Sequence, residues 1–205
     1  PYIRTREKPA RRIGIAGWLE GDRGLLVYDA FDIWQLDLSG KKPGINITGG
    51  YGRTHHTLFS LMHTDRIFAP SLVFGESDTL LLRAFNRRTK YNGYFRKPLG
   101  SAGNPELLYM GASFIQGQSG LNGLDQGMQP VKAADANAWI VKKQTATEAP
   151  NYFVTTDFKT YRALTDIQPH KGYNWLTTEL VTFKQLDGTM SQGVLYKPEN
   201  FDPAQ

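Results

Sequence analysis

Ile13-Gly-Ile-Ala-Gly-Trp-Leu19, Gly24-Leu-Leu-Val-Tyr-Asp29, Asp32-Ile-Trp-Gln-Leu-Asp-Leu38 and Gly44-Ile-Asn-Ile-Thr48 decide the fold class of this chain. Each is too short for a stable helix, and turn residues separate one from the next. Rich in aliphatic and aromatic residues, they read as a four-stranded antiparallel meander. Alternation is clearest in the third segment, where Trp34, Leu36 and Leu38 share one face and Ile33, Gln35 and Asp37 the other. The first face is expected to be the apolar one.

The pattern recurs along the chain. A second unit is expected from Arg66-Ile-Phe-Ala-Pro70, Thr79-Leu-Leu-Leu-Arg-Ala-Phe85, Asn92-Gly-Tyr-Phe-Arg-Lys-Pro98 and Pro105-Glu-Leu-Leu-Tyr109. A third comes from Ala133 to Gln144, Pro150-Asn-Tyr-Phe-Val-Thr-Thr-Asp157 and Tyr161-Arg-Ala-Leu-Thr-Asp166. The next-to-last strand of each unit carries an adjacent bulky pair: Ile33-Trp34, Tyr94-Phe95 and Tyr152-Phe153. The pairs recur about every 60 residues, more than the roughly 40 to 50 of a propeller blade. Insertions at Gly49 to Asp65, in the Arg87 to Asn92 turn and at Gly111 to Gln129 account for the excess.

The expectation is therefore an all-β partial β-propeller of about three antiparallel four-stranded blades, near residues 13–50, 65–110 and 130–167. Residues 1–170 form the partial propeller, and 171–205 form a linker with a strand, a turn at Asp187-Gly188 and a second strand. An ordinary β-sandwich is the competing architecture. Blades bury their apolar faces against neighbouring blades, so three blades in an open array predict self-association through the open blade faces.

Composition narrows the function. The 205 residues contain 21 Gly, 11 Pro and no Cys, which excludes disulfides and thiol chemistry within the chain. No stretch reaches the roughly 18 uninterrupted apolar residues of a spanning helix. A formal charge of +5 invites a nucleic-acid partner. The basic residues are distributed, however, with modest clusters at Arg4 to Arg12 and Arg83 to Lys97, so no nucleic-acid partner is expected. The abrupt sequence at both ends is read as that of an internal piece of a longer protein.

Leu26 to Leu38, Asn92-Gly-Tyr-Phe95, Ala149 to Phe158, Leu164 to Pro169 and Thr178-Glu-Leu-Val-Thr-Phe-Lys-Gln-Leu-Asp-Gly188 resemble, in that order, the late propeller blades of prolyl-oligopeptidase family serine peptidases. The large bacterial members are the most similar, and the resemblance runs from about Ile13 to Pro203. It implies a propeller that restricts access to an α/β-hydrolase domain, with Glu179 to Pro198 as the link into that domain. It implies peptide substrates and, from the bacterial relatives, a periplasmic or secreted location. The alternative is a stand-alone binding propeller for protein, peptide or glycan.

The chemistry of such a peptidase needs a serine at a Gly-x-Ser-x-Gly elbow, a histidine and an aspartate. Ser113 in Gly111-Ala-Ser-Phe-Ile115 and Ser119 in Gly117-Gln-Ser-Gly-Leu121 do not fit that elbow. His55, His56, His63 and His170 read as loop histidines, and no metal or other cofactor is expected. The Asp residues at strand ends read as turn caps. No catalytic residue is therefore expected within the chain. In the family, propeller loops facing the hydrolase restrict substrate entrance, which makes the polar stretches Tyr51 to His56 and Gly117 to Gly127 candidates. Tyr51, Arg53, Gln118 and Asn122 are the expected substrate-gating residues.

Overall fold

A computed structural model describes residues 14–62, 72–115 and 130–204. The described chain is all-β and built of several antiparallel sheets. It divides into two compact units: residues up to Gly111 together with Asp157–Lys159, and Ala112–Thr156 together with Thr160 onward.

The first unit begins with strands β1 (Gly14–Leu19), β2 (Leu25–Tyr28), β3 (Ile33–Leu36) and β4 (Ile45–Asn46), a sequential antiparallel meander. A fifth short strand, β6 (Val73–Phe74), adds parallel to β1. The second sheet uses β5 (Thr57–Leu61), β7 (Thr79–Asn86), β8 (Asn92–Pro98) and β9 (Glu106–Gly111) in that spatial order. Its first strand is not the one expected. The Arg66 to Pro70 segment lies outside the described residues, and β5 falls inside the stretch read as an insertion. Thr57–Leu61 is buried at every position, so a segment preceded by Gly-rich and His-rich sequence is in fact a fully covered strand.

The core of this unit follows the period of two that strands impose. On β7, Leu80, Leu82 and Ala84 point inward, and Phe59, Leu61 and Phe95 meet them. Leu26 and Ile33 of the first sheet join the same cluster with no exposed surface. Burying side chains of this size contributes about 1.5–3 kcal/mol each. The phenyl rings of Phe59 and Phe95 meet edge to face at 5.1 Å. The expected face of Trp34, Leu36 and Leu38 is not the buried one. Leu36 and Leu38 are exposed, and Ile33 on the mixed face is buried, because the core lies on that side of β3.

Strand β8 is covered on both sides. Phe95 faces the core, and Tyr94 faces the opposite way, where its ring packs 4.7 Å from Phe158. Burial pushes the Tyr94 hydroxyl pKa upward. Gly93 permits the close approach of β9: a Cβ there would lie 1.9 Å from the Tyr109 carbonyl oxygen. Farther along, the buried Lys97 ammonium donates to the carbonyls of Ser101 and Gly103 at 2.7 and 2.8 Å, closing the turn after β8.

The second unit holds a four-stranded antiparallel meander of β10 (Val131–Lys132), β11 (Trp139–Lys143), β12 (Asn151–Thr155) and β13 (Arg162–Ala163). Trp139 and Val141 are its buried face. Asn151 fixes the segment after β13 by donating to the Ile167 carbonyl and accepting from the Ile167 N–H and the Thr165 hydroxyl. A separate hairpin follows, β14 (Leu176–Lys184) and β15 (Met190–Pro198), paired without a register shift over nine positions. Its turn is at Asp187-Gly188, where Gly188 adopts φ 85° and the Asp187 carboxylate accepts from Thr189 N–H. The three bulky pairs Ile33-Trp34, Tyr94-Phe95 and Tyr152-Phe153 each sit on the third strand of a sheet, on β3, β8 and β12.

Candidate functional site

The turn between β2 and β3 sets up the corner that carries Tyr51 and Arg53. Asp29 caps it: one carboxylate oxygen accepts from the N–H groups of Phe31 and Asp32 at 2.7 and 2.6 Å. The other oxygen accepts from the Trp34 indole and from Arg53 Nη2, both at 3.1 Å. Burial alone would raise the Asp29 pKa. The hydrogen bonds from Asp32, Phe31, Trp34 and Arg53 outweigh it and hold the carboxyl below its ordinary value.

Asp32 does a different task from a distance of twenty residues. It is buried, and it accepts from the Thr48 hydroxyl at 2.7 Å, from Gly52 N–H at 2.9 Å and from Arg53 N–H at 3.1 Å. The last two are unsatisfied donors of the single helical turn α1 (Tyr51–Thr54). Asp32 thus caps α1 from another element. Thr48 extends the network by accepting from Ile33 N–H at 3.1 Å. That bond ties the end of the Asn46-Ile-Thr48 segment into the interior. Gly52 is required by this packing, since a Cβ would lie 2.7 Å from the carbonyl oxygens of Phe31 and Thr57.

With its backbone held this way, α1 presents two different side chains. Tyr51 is half-buried, stacks on His55 at 3.9 Å and meets the Phe95 ring edge-on at 5.4 Å. It is an outer layer of the core. Arg53 projects outward with 64% of its side chain exposed, and its guanidinium lies 5.5 Å from the centre of the Phe31 ring. Arg87, at the β7–β8 turn, places a second guanidinium 6.0 Å from the same ring. That turn is fixed in place by Asn86, whose side-chain amide donates to the His55 carbonyl, and by Arg87 N–H, which donates to the His56 carbonyl.

Tyr51 and Arg53 therefore belong to one corner, and Gln118 and Asn122 lie outside the described residues. Sequence reading missed Phe31 and Arg87. No local pattern joins them, because Phe31, Arg53 and Arg87 come from three turns brought together by sheet pairing. Ser113 is buried, and Ser119 and His63 lie outside the described residues. Among the described residues there is no group of His, Cys, Asp or Glu arranged to hold a metal, and no helix long and apolar enough to cross a membrane.

The second unit has a shallow cleft of about 350 Å³ lined by Thr145, Thr147, Glu148, Thr177 and Thr178 among others. It offers hydroxyls and one carboxylate but no nucleophile with an adjacent base. His170, outside that lining, has a buried Nδ1 without a hydrogen-bond partner, and its ring lies 6.2 Å from Trp175.

No protein-family model matches the chain, and no curated protein matches it by sequence.

Proposed function

We propose that this chain is the noncatalytic propeller portion of a serine peptidase of the prolyl-oligopeptidase type, filtering peptides by size before they reach a hydrolase domain outside these 205 residues. One observation carries the reading: three antiparallel meanders follow one another along the chain, each with its bulky pair on the third strand, and the β14–β15 hairpin comes after them. That succession is the order in which the resembling segments occur. The absence of a Gly-x-Ser-x-Gly in the sequence accords with it, because the nucleophile then belongs to the hydrolase. In this reading the sheets are blades, and the Tyr51 and Arg53 corner lies at a blade end where loops meet peptide.

The test is fluorophosphonate labelling of the full natural gene product, read by intact mass, with the 205-residue chain as control. Labelling of a larger product while the chain stays unmodified supports the reading. A full product that refuses the probe removes it and leaves a binding propeller for protein, peptide or glycan.

A further inference from the structure

We propose that the cleft of the second unit binds an alkylammonium group, the side chain of a peptide lysine. The ammonium follows from the cleft alone, and a peptide as its carrier rests on the peptidase reading.

The cleft of about 350 Å³ is lined by the turn from β11 to β12, by the first residues of β14 and by Ala112. Its volume falls in the lower part of the roughly 300–1,000 Å³ of small-ligand sites. Hydrogen bonds fix the turn. Thr145 N–H donates to the Glu148 carbonyl at 3.2 Å, and Thr147 N–H donates to the Thr145 hydroxyl at 3.2 Å. The Trp175 indole donates to the Ala146 carbonyl at 3.0 Å, which ties the turn to the residue before β14. Glu148 therefore stands on a held backbone. Its carboxylate makes no ion pair and no hydrogen bond among the described residues.

The lining selects the ligand. Glu148 only accepts, the hydroxyls of Thr145, Thr147, Thr177 and Thr178 accept or donate, and no lining side chain carries an N–H donor. With its proton directed to the Lys197 carbonyl at 3.4 Å, the Thr177 hydroxyl oxygen is left as an acceptor. An anion finds no cation among these groups. A divalent calcium ion takes roughly six to eight oxygen ligands, several of them carboxylates, and the cleft supplies one carboxylate. An ammonium has three donors and no acceptor, so the carboxylate and the hydroxyls match it by charge-assisted hydrogen bonds. Ala112, Ala146 and the threonine methyl groups suit the apolar stem of lysine. Trp175, 38% exposed and bonded to Ala146, adds an indole, the ring that attracts cations best.

The experiment titrates the 205-residue chain, labelled at the threonine methyl groups, with N-acetyl-lysine N-methylamide and with its uncharged isostere N-acetyl-norleucine N-methylamide. The lysine compound should move the Thr145, Thr147, Thr177 and Thr178 signals and bind roughly fivefold or more tightly than the norleucine compound, the scale of a charge-assisted hydrogen bond at an exposed position. Glu148→Gln should erase that difference, and raised salt should shrink it. The Glu148 side chain has no described contact to lose, so the urea midpoint of Glu148→Gln should equal that of the parent. Equal affinity for the two compounds, unmoved threonine signals, or undiminished discrimination in Glu148→Gln overturns the site. Alanine N-methylamide carries a free α-ammonium without the long stem. Tighter binding of that compound than of the lysine compound overturns the lysine assignment in favour of a peptide N-terminus. The outcome is separable from that of fluorophosphonate labelling. Lysine-selective binding without labelling removes the peptidase and leaves the ammonium site, and labelling without lysine selectivity does the reverse.

Discussion

Strands β8 and β14 are similar in sequence character and opposite in environment. β8 carries Tyr94 and Phe95 at 0% and 1% exposure, whereas Phe183 of β14 is 48% exposed and Leu195, on the same face of the hairpin, is 45% exposed. Both strands mix apolar and polar residues, and both pair in long antiparallel ladders. The difference is what lies above and below. β8 is an interior strand of a four-stranded sheet with a packed layer on each face, and β14 has one partner strand. A two-stranded hairpin alone is marginal in water, so the strength of this ladder comes from its nine aligned pairs and its Asp187-Gly188 turn. Aromatic content fixes neither burial nor stability until the neighbouring layers are known.

The sharpest way to break the comparison is to truncate the core side. Phe95→Ala removes the ring that meets both Phe59 and Tyr51, and it should cost about 3–5 kcal/mol, read as a lowered urea midpoint. A loss below about 1 kcal/mol would mean that the core around β8 closes over the cavity without cost, and the contrast with β14 would dissolve. Asp32→Ala should come next. It leaves Gly52 N–H, Arg53 N–H and the Thr48 hydroxyl without their shared acceptor, for a loss of about 2–4 kcal/mol. If the stability of Asp32→Ala equals that of the parent, α1 is not capped by this carboxylate.

The strands were legible because their cause is local. Leu80, Leu82 and Ala84 alternate inward as a period of two requires, and the bulky pairs marked the third strand of each sheet. The identity of β5 was not legible. Thr57 to Leu61 follows a polar, Gly-rich stretch, and its burial comes from pairing with β7 more than twenty residues later. The face of β3 was misread for the same reason: Leu36 and Leu38 are larger in sum than Ile33, but the core lies on the side of Ile33. At the corner, Arg53 stood out as a basic residue in a polar stretch. Phe31 and Arg87 did not, since only the fold brings their turns together, and Asp32 reads as an ordinary turn cap until α1 is placed against it.

Acid should weaken the corner that Asp29 caps. Asp29 has a folded pKa below its ordinary value of 3.8, so its contribution is complete above the unfolded value and is lost as the pH falls through the folded one. Urea midpoints measured downward from about pH 5 should therefore decline, and Asp29→Asn should flatten that decline. Parallel curves for the parent and Asp29→Asn would show that other carboxylates carry the acid response.

The smallest effect belongs to the hairpin itself. Phe183→Ser replaces a side chain that is half in solvent, so it should change stability by no more than about 0.5–1 kcal/mol. The value of the variant lies in association. Phe183 and Leu195 share one face of the hairpin, while Leu180, Val194 and Tyr196 share the other, all of them exposed. Apolar groups on both faces of an exposed ladder favour contact with a second apolar surface. Sedimentation velocity at micromolar concentration should show the parent associating more than Phe183→Ser. Equal behaviour of the two, with stability unchanged, would show that this face of the hairpin makes no contact between chains. A loss in Phe183→Ser as large as that in Phe95→Ala would instead show that β14 is as tightly packed as β8 in solution, which would end the contrast between them.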